Sequence, residues 1–189
     1  MSIRAFVAVN IPETIRAALA EAQGRLKRVP ADVSWTAAHN IHMTLKFLGE
    51  IGESGVARVG RALEEATAPH APFAVAVGGF GVFPPKGPPR VLWAGTAEGA
   101  EALVSLQASV ERALAALGFP REGRRFRPHL TLGRVRSPRN AAALVEAAAG
   151  LGADPLGAFT VDHLDLMRSQ LDPRGSIYTV LRQVPLRGT

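Results

Sequence analysis

The sequence contains no cysteine, only three lysines and a single tyrosine among its 189 residues. Without cysteine the chain can form no disulfide, no thiolate nucleophile and no cysteine-bound zinc site. No apolar run is long enough to cross a bilayer, because Lys, Arg or Glu interrupts every candidate. The N-terminal residues lack the length and the small-residue cleavage site of a signal peptide. We therefore expect a cytoplasmic protein with no membrane partner.

Arginine supplies most of the positively charged side chains of this chain. The chain has 19 Arg against 3 Lys, a formal net charge of +6 and a sequence pI near 10.9. Seven of the arginines fall between residues 121 and 139. Arg binds phosphate through a planar fork of donors, whereas Lys acts as a point charge. Genomic base composition explains a general excess of Arg but not this clustering, which indicates a polyanionic partner.

Two distant segments share the pattern His-x-Thr-Leu. They read NIHMTLKF at residues 40–47 and RPHLTLGR at residues 127–134. If both are strands, the two-residue period places His42 and Thr44 on one face, and likewise His129 and Thr131. The alternate positions are apolar. Each strand then has a buried side and a side that offers an imidazole and a hydroxyl.

The surroundings of the two motifs also repeat. The first half predicts strand 3–9, helix 13–27, strand 41–48 with a turn at 49–52, helix 54–68 and strand 73–77, with a short extended piece at 33–35. The second half predicts strand 90–94, helix 98–117, strand 128–135, helix 140–149 and strand 159–167, with a last strand at 176–181 beside it. The two motif histidines lie 87 positions apart, and the residues that open the first and third strands lie 86 apart.

This constant offset predicts an internal duplication. We expect a single bilobal domain over residues 1–189, with repeats at 3–78 and 90–183 related by a pseudo-two-fold axis. The glycine- and proline-rich residues 78–89 suit neither a helix nor a central strand. We interpret them as a connection between the lobes, part of which lines the site. The symmetry would bring the two motifs to opposite walls of one cleft.

Two facing histidines supply an acid and a base near neutral pH, and phosphodiester cleavage needs both. The hydroxyls of Thr44 and Thr131 can bind the non-bridging phosphate oxygens, and Arg134 can neutralise charge that develops there. This chemistry requires no metal and no cofactor.

Other catalytic signatures are missing. The sequence has no His-Glu-x-x-His, no Walker-type loop and no Gly-x-Ser-x-Gly elbow. His163 and Asp165 would share a strand face, but no third ligand accompanies them. We therefore expect no metal site.

The paired motifs, their spacing and the terminal residues 168–169 and 175–178 resemble the two-histidine (2H) phosphoesterase superfamily, in particular the RNA 2′,3′-cyclic phosphodiesterases, also called 2′-5′ RNA ligases. The resemblance covers essentially the whole chain. It implies a bilobal α+β fold whose antiparallel sheets face each other across a central cleft. It also implies opening of a 2′,3′-cyclic phosphate at an RNA 3′ end to leave a 2′-phosphate.

The resemblance makes His42 the acid that protonates the departing O3′ and His129 the base that activates water. Thr44 and Thr131 would then hold the phosphate, assisted by Arg134. Only the resemblance distinguishes the acid from the base, because the pseudo-symmetry makes the two walls nearly equivalent.

Further candidate substrate contacts carry less evidence. Arg127 and Lys46 are candidates for phosphate, Phe83 for stacking on a base, and Tyr178 for a place in the cleft. For Phe47 we favour packing in the core. We expect Arg121, Arg124 and Arg125 to lie in a solvated loop that steers RNA electrostatically.

The expected partner is RNA with a 2′,3′-cyclic phosphate terminus, such as a tRNA fragment, and we expect a monomer. Three alternatives stay open: another cyclic phosphate as substrate, a 2′-5′-linked oligonucleotide as substrate, and a non-catalytic RNA-binding module. A weak 2′-5′ RNA ligase activity is also expected, because ligation is the reverse of cleavage by the same residues.

Overall fold

The computed structural model describes residues 2–153, 155–173 and 175–189. Its strands are β1 (Ser2–Asn10), β2 (Val33–Trp35), β3 (His42–Gly52), β4 (Phe73–Phe83), β5 (Val91–Glu98), β6 (Leu130–Val135), β7 (Pro155–Val161), β8 (His163–Asp172) and β9 (Gly175–Pro185). Its α-helices are α1 (Glu13–Leu26), α2 (Glu53–Thr67), α3 (Ala100–Ala115) and α4 (Ala141–Ala149), and a short 3₁₀ helix spans Ala38–Asn40.

The strands form two antiparallel sheets. Sheet A has the order β3-β1-β8-β9, and sheet B has the order β2-β6-β5-β4-β7. The sheets face each other across a central cleft, and the two motif strands, β3 and β6, contact each other. The α+β class and the paired antiparallel sheets that the resemblance implied are confirmed.

Each sheet is assembled from both halves of the chain. Strand β4 leaves β1 and β3 and pairs with β5, while β8 leaves β5 and β6 and pairs with β1. The helices follow the same exchange: α2 and α3 pack on sheet A, and α1 and α4 pack on sheet B. The lobes therefore do not coincide with residues 3–78 and 90–183, and a duplication with those limits stays a prediction.

Helix α3 shows why the helices form where the sequence predicts them. Leu103, Leu106, Val110 and Leu114 recur at intervals of three or four residues, and all four are completely buried. Burying each such side chain stabilises the fold by about 1.5–3 kcal/mol. In the described part of the chain, no helix combines the length and the apolar character that crossing a membrane requires.

The interpretation of residues 78–89 as a connection between lobes is wrong. Residues 78–83 continue β4, a central strand between β5 and β7, and only residues 84–90 form the turn into β5. Gly81 serves close packing: a Cβ at this position would collide with the ring of Trp93 on the neighbouring strand. Glycine weakens strands in general, but here it makes room for a large side chain.

Two other boundaries differ from the expectation. The predicted strand 159–167 divides at Asp162 into β7 in sheet B and β8 in sheet A. The predicted turn at 49–52 does not exist, because β3 continues to Gly52. Gly49 adopts a φ of 70° where the pairing of β3 with β1 is irregular, so this glycine marks a bulge.

Candidate active site

His42 is the first residue of β3, and both of its ring nitrogens are engaged. Nδ1 lies 2.8 Å from the carbonyl oxygen of Asn40, and Nε2 lies 3.0 Å from Oγ1 of Thr44. A carbonyl can only accept, so Nδ1 carries a proton. In the neutral ring Nε2 is then the acceptor of the Thr44 hydroxyl. His42 and Thr44 share one face, as the strand period predicts.

Aromatic rings hold His42 from two sides. Its ring centroid lies 4.8 Å from that of Phe6 and 5.1 Å from that of Tyr178, which meets it edge-on. Phe6 and Tyr178 also contact each other at 5.1 Å. The structure thus places the ring of Tyr178 beside His42.

His129 repeats this arrangement on the other wall. It immediately precedes β6, whose first residue is Leu130 rather than the expected Pro128. Its Nδ1 lies 2.7 Å from the carbonyl oxygen of Arg127, so Nε2 is again the acceptor in the neutral ring. The ring of Phe83 meets it edge-on at 5.1 Å, and Trp93 lies 5.1 Å behind Phe83.

The surroundings lower the pKa of both histidines below the ordinary value of about 6.5. Burial is the largest cause for His42; the Asn40 carbonyl opposes it, and the charge of Arg16 adds to the lowering of this pKa. For His129, burial again lowers the pKa most, the Arg127 carbonyl raises it, and Arg134 lowers it. Both imidazoles are therefore neutral at neutral pH, each with an unprotonated Nε2.

Replacement of Arg134 tests this electrostatic link. In Arg134→Met the imidazolium of His129 loses a repulsive charge, so we expect the pKa of His129 to rise while that of His42 stays unchanged. The ring proton signals of the two histidines, titrated by NMR at low ionic strength, give both values. Arg136→Met is the matched control. An unmoved His129 pKa in Arg134→Met would contradict the proximity of Arg134.

Each motif strand contains a β-bulge at the residue that follows the threonine. In β3, Thr44 pairs with Ala8 and Lys46 with Val7, which leaves Leu45 as the extra residue. In β6, Thr131 pairs with Trp93 and Gly133 with Leu92, which leaves Leu132 as the extra residue. A bulge shifts the alternation of faces by one position.

The bulge in β6 accounts for the position of Arg134. Strict alternation would place Arg134 and Thr131 on opposite faces. With Leu132 inserted, Arg134 is exposed on the side of Thr131 and acts on His129. This arrangement agrees with the predicted role of Arg134 at the phosphate.

The bulge in β3 has the same effect and reverses two expectations. Phe47 is 68% exposed, near Phe6 at 6.1 Å, so the preference for core packing of Phe47 is wrong. Lys46 is only 7% exposed, and its Nζ lies 2.9 Å from both carboxylate oxygens of Glu111 and 2.8 Å from the Pro120 carbonyl. The structure does not bring Lys46 to the site, because its ammonium is bound on the opposite side of the strand.

The arginines that precede His129 are exposed. Arg127 places only its carbonyl against His129, and its side chain is exposed, as are those of Arg121, Arg124 and Arg125. Within the described residues these four guanidinium groups have no hydrogen bond or ion pair. They form an exposed basic surface in the segment that precedes His129 along the chain.

His163 lies outside this site. Its Nδ1 contacts Asp162, and its Nε2 is 3.6 Å from the buried Asp165. Among the residues that the structure describes, no three His, Cys, Asp or Glu side chains come together in a way that could hold a metal ion.

Sequence reasoning missed three residues that shape the site, namely Phe6, Trp93 and Asn40. Phe6 and Trp93 lie in strands that read as ordinary apolar segments, and only the structure shows that Phe6 contacts His42 and that Trp93 contacts Phe83, the ring beside His129. Asn40 acts through its backbone carbonyl, which carries no side-chain signal. Asn40 and Arg127 each lie two residues before a motif histidine. This shared position is the sequence signal that could have pointed to their backbone carbonyls.

A duplicated arrangement with one His-x-Thr motif on each wall defines a two-histidine phosphoesterase. A sequence model of the 2′-5′ RNA ligase superfamily matches residues 11–173. The chain belongs to this superfamily.

Individual relatives agree in sequence over nearly the whole chain. A protein of Methanothermobacter thermautotrophicus named RNA 2′,3′-cyclic phosphodiesterase is 37% identical over 179 residues, which cover 95% of this chain and 96% of the relative. One of Thermus thermophilus with the same name is 37% identical over 196 residues, or 98% and 91% of the two chains.

Solved structures give the same fold. A crystal structure of a Thermus thermophilus protein superposes with a TM-score of 0.79 at 31% identity, over 98% of this chain and 99% of the other. Escherichia coli LigT complexed with 3′-AMP superposes with a TM-score of 0.76 at 24% identity, over 98% and 99% of the chains, and supports the fold alone.

Proposed function

We propose that this chain hydrolyses 2′,3′-cyclic phosphate ends of RNA to 2′-phosphates, with His42 and His129 as the proton-transferring pair. The observation that carries the proposal is the matched geometry of the two imidazoles. Each has Nδ1 fixed on a backbone carbonyl, which leaves Nε2 as the atom that can exchange a proton with a ligand. The relatives named RNA 2′,3′-cyclic phosphodiesterase support this substrate class.

The reaction divides the two proton transfers between the walls. Nε2 of His129 takes a proton from water as the water oxygen forms a bond to phosphorus. The bond from phosphorus to O3′ breaks on the far side, and the protonated Nε2 of His42 donates its proton to the departing oxygen. The products are a 3′-hydroxyl and a 2′-phosphate monoester. The assignment of acid and base rests on the family resemblance.

The acid must gain its proton before it can act. His42 is neutral in the free protein, because burial lowers its pKa. A bound phosphate brings a negative charge next to the imidazole, which favours the charged ring and raises this pKa. The substrate thus creates the acid form, while the neutral His129 already has the form that a base needs.

The remaining predicted contacts fall into two groups around the phosphate. Thr44, Thr131 and Arg134 are proposed to bind its oxygens, where negative charge builds up in the transition state. Phe83 and Tyr178 are proposed to contact the terminal nucleotide, because aromatic faces stack on unpaired bases.

The basic surface before His129 favours RNA over a free cyclic nucleotide. Arg121, Arg124, Arg125 and Arg127 are exposed and have no partner in the described chain, so they are available to phosphates upstream of the reacting one. A cyclic mononucleotide has no such phosphates. The proposal therefore includes a preference for oligonucleotides that weakens as salt is added.

The decisive experiment is hydrolysis of a short RNA that ends in a 2′,3′-cyclic phosphate, in EDTA, beside the matching cyclic mononucleotide. We expect turnover in the chelator, a 2′-phosphate product and faster reaction of the RNA at low salt. A 3′-phosphate product would contradict the roles of the two oxygens. No turnover of the RNA would favour another cyclic phosphate, a 2′-5′-linked substrate or a binding module.

A further inference from the structure

The two bulges occupy equivalent places in the repeat. Leu45 and Leu132 lie 87 positions apart, the same offset as the motif histidines. Each is buried and directly follows the threonine of its motif. A feature that recurs at the same place in both halves is part of how the fold builds each wall.

The backbone carbonyl of the inserted residue in β6 is buried and has two donors, one from the backbone and one from a side chain. The Leu132 carbonyl accepts a hydrogen bond from Nε2 of Gln23 at 2.8 Å and another from the Thr36 amide at 2.9 Å. The other proton on Nε2 goes to the Thr36 carbonyl at 2.9 Å. The amide of Gln23 therefore ties the bulge in β6 to the segment that leads to β3.

The other lobe has a counterpart. The Leu45 carbonyl lies 3.5 Å from Nε2 of Gln107, which also donates to Glu111 at 3.2 Å. Gln23 and Gln107 are 2% and 7% exposed. Gln23 comes from α1 in the first half and reaches a strand of the second half, and Gln107 in α3 does the reverse. Burying an amide is costly unless its hydrogen bonds are made, so neither glutamine is an incidental core residue.

The bulges decide which side chains join the threonines on the cleft side. Beyond Leu132 the residue on that side is Arg134, and beyond Leu45 it is Phe47. Without the bulges, Gly133 and Lys46 would take those places. Each motif strand thus directs three side chains to the cleft side: the histidine, the threonine and the residue three positions after the threonine. The third of these faces that side only because of the bulge.

We propose that Gln23 and Gln107 are positioning residues for the proposed reaction, each holding the bulge that turns the third side chain of its motif strand toward the cleft. The inference rests on the proposed function. It predicts a larger effect for Gln23, because its contact with the bulge is shorter and its amide has no competing acceptor side chain.

Gln23→Met tests the proposal, because methionine keeps the volume and loses the donor. We expect kcat for the cyclic-phosphate RNA to fall about tenfold to a hundredfold, the effect of a displacement of about 1 Å, with a smaller change in KM. We also expect the pKa of His129 to rise, since Arg134 moves away from it. Thr67→Val, which removes a buried hydroxyl that bonds the Glu64 carbonyl, is the control.

If Gln23 is merely structural, Gln23→Met should lower stability, as we expect for Thr67→Val, and leave kcat and the pKa of His129 unchanged. That result would overturn the proposal. If Gln23→Met does not fold, Gln23→Asn keeps an amide but is one methylene too short to reach the bulge, and the same two measurements decide. Because the NMR titration needs no substrate, it tests the positioning even if the proposed reaction is not found.

Discussion

Removal of either motif histidine is expected to lower kcat/KM for a cyclic-phosphate RNA end by a factor of about 10²–10⁴. His42→Ala and His129→Ala each take away one of the two proton transfers, and the group that remains cannot perform both. His42→Asn and His129→Asn should be equally impaired. The Asn side-chain amide can replace the donor to the carbonyl of residue 40 or 127, but it cannot exchange a proton near neutral pH.

The double variant separates a shared mechanism from two independent effects. Residues that act as a unit are not additive, so the loss in the double variant should be smaller than the product of the two single losses. His163→Ala, outside the site, should keep wild-type activity. Wild-type rates in either single variant would refute the two-wall mechanism, whereas an equal loss in His163→Ala would point to general damage.

Lys46→Met is expected to reduce the free energy of unfolding by about 3–5 kcal/mol, because it leaves the carboxylate of Glu111 buried without its partner. The side chains of the pair are only 6% and 13% exposed. This loss is a large part of the roughly 5–15 kcal/mol that typically stabilises a domain. Urea denaturation of the variant gives the value directly.

Two further variants identify the cause. Lys46→Met combined with Glu111→Gln should recover most of the lost stability, since no unpaired charge remains. Lys86→Met, in the exposed turn between β4 and β5, should be close to neutral. If Lys46 instead bound a substrate phosphate, Lys46→Met would raise KM and leave the stability unchanged, which is the opposite pattern.

Local sequence patterns correctly predicted the structural features that depend on residues close together in the sequence. The apolar spacing in α3 and the alternation around His42 reflect periods of a few residues, and the elements lie where those periods place them. The pairing of His42 with Thr44 followed for the same reason. The repeat of the motif at His129 then predicted the second wall.

The features that the sequence did not reveal depend on contacts between distant strands. The bulges at Leu45 and Leu132 insert one apolar residue among others, so nothing local distinguishes them from regular alternation. Because of the bulge in β3, Phe47 rather than Lys46 lies on the side of Phe6 and His42. In the same way, Gly81 marks a tight fit against Trp93, which can be seen only once β4 and β5 are paired.

The exchange of third strands has a consequence for modularity. A cut in the turn at residues 84–90 would give two fragments, each holding an incomplete part of both sheets and only one of the two histidines. Neither half of the sequence can therefore be deleted or transplanted alone without leaving both sheets incomplete. If the halves arose from one ancestral unit, two copies of that unit had to exchange strands before either sheet was complete. A cleft with two histidines could then form only when two copies of the unit associated.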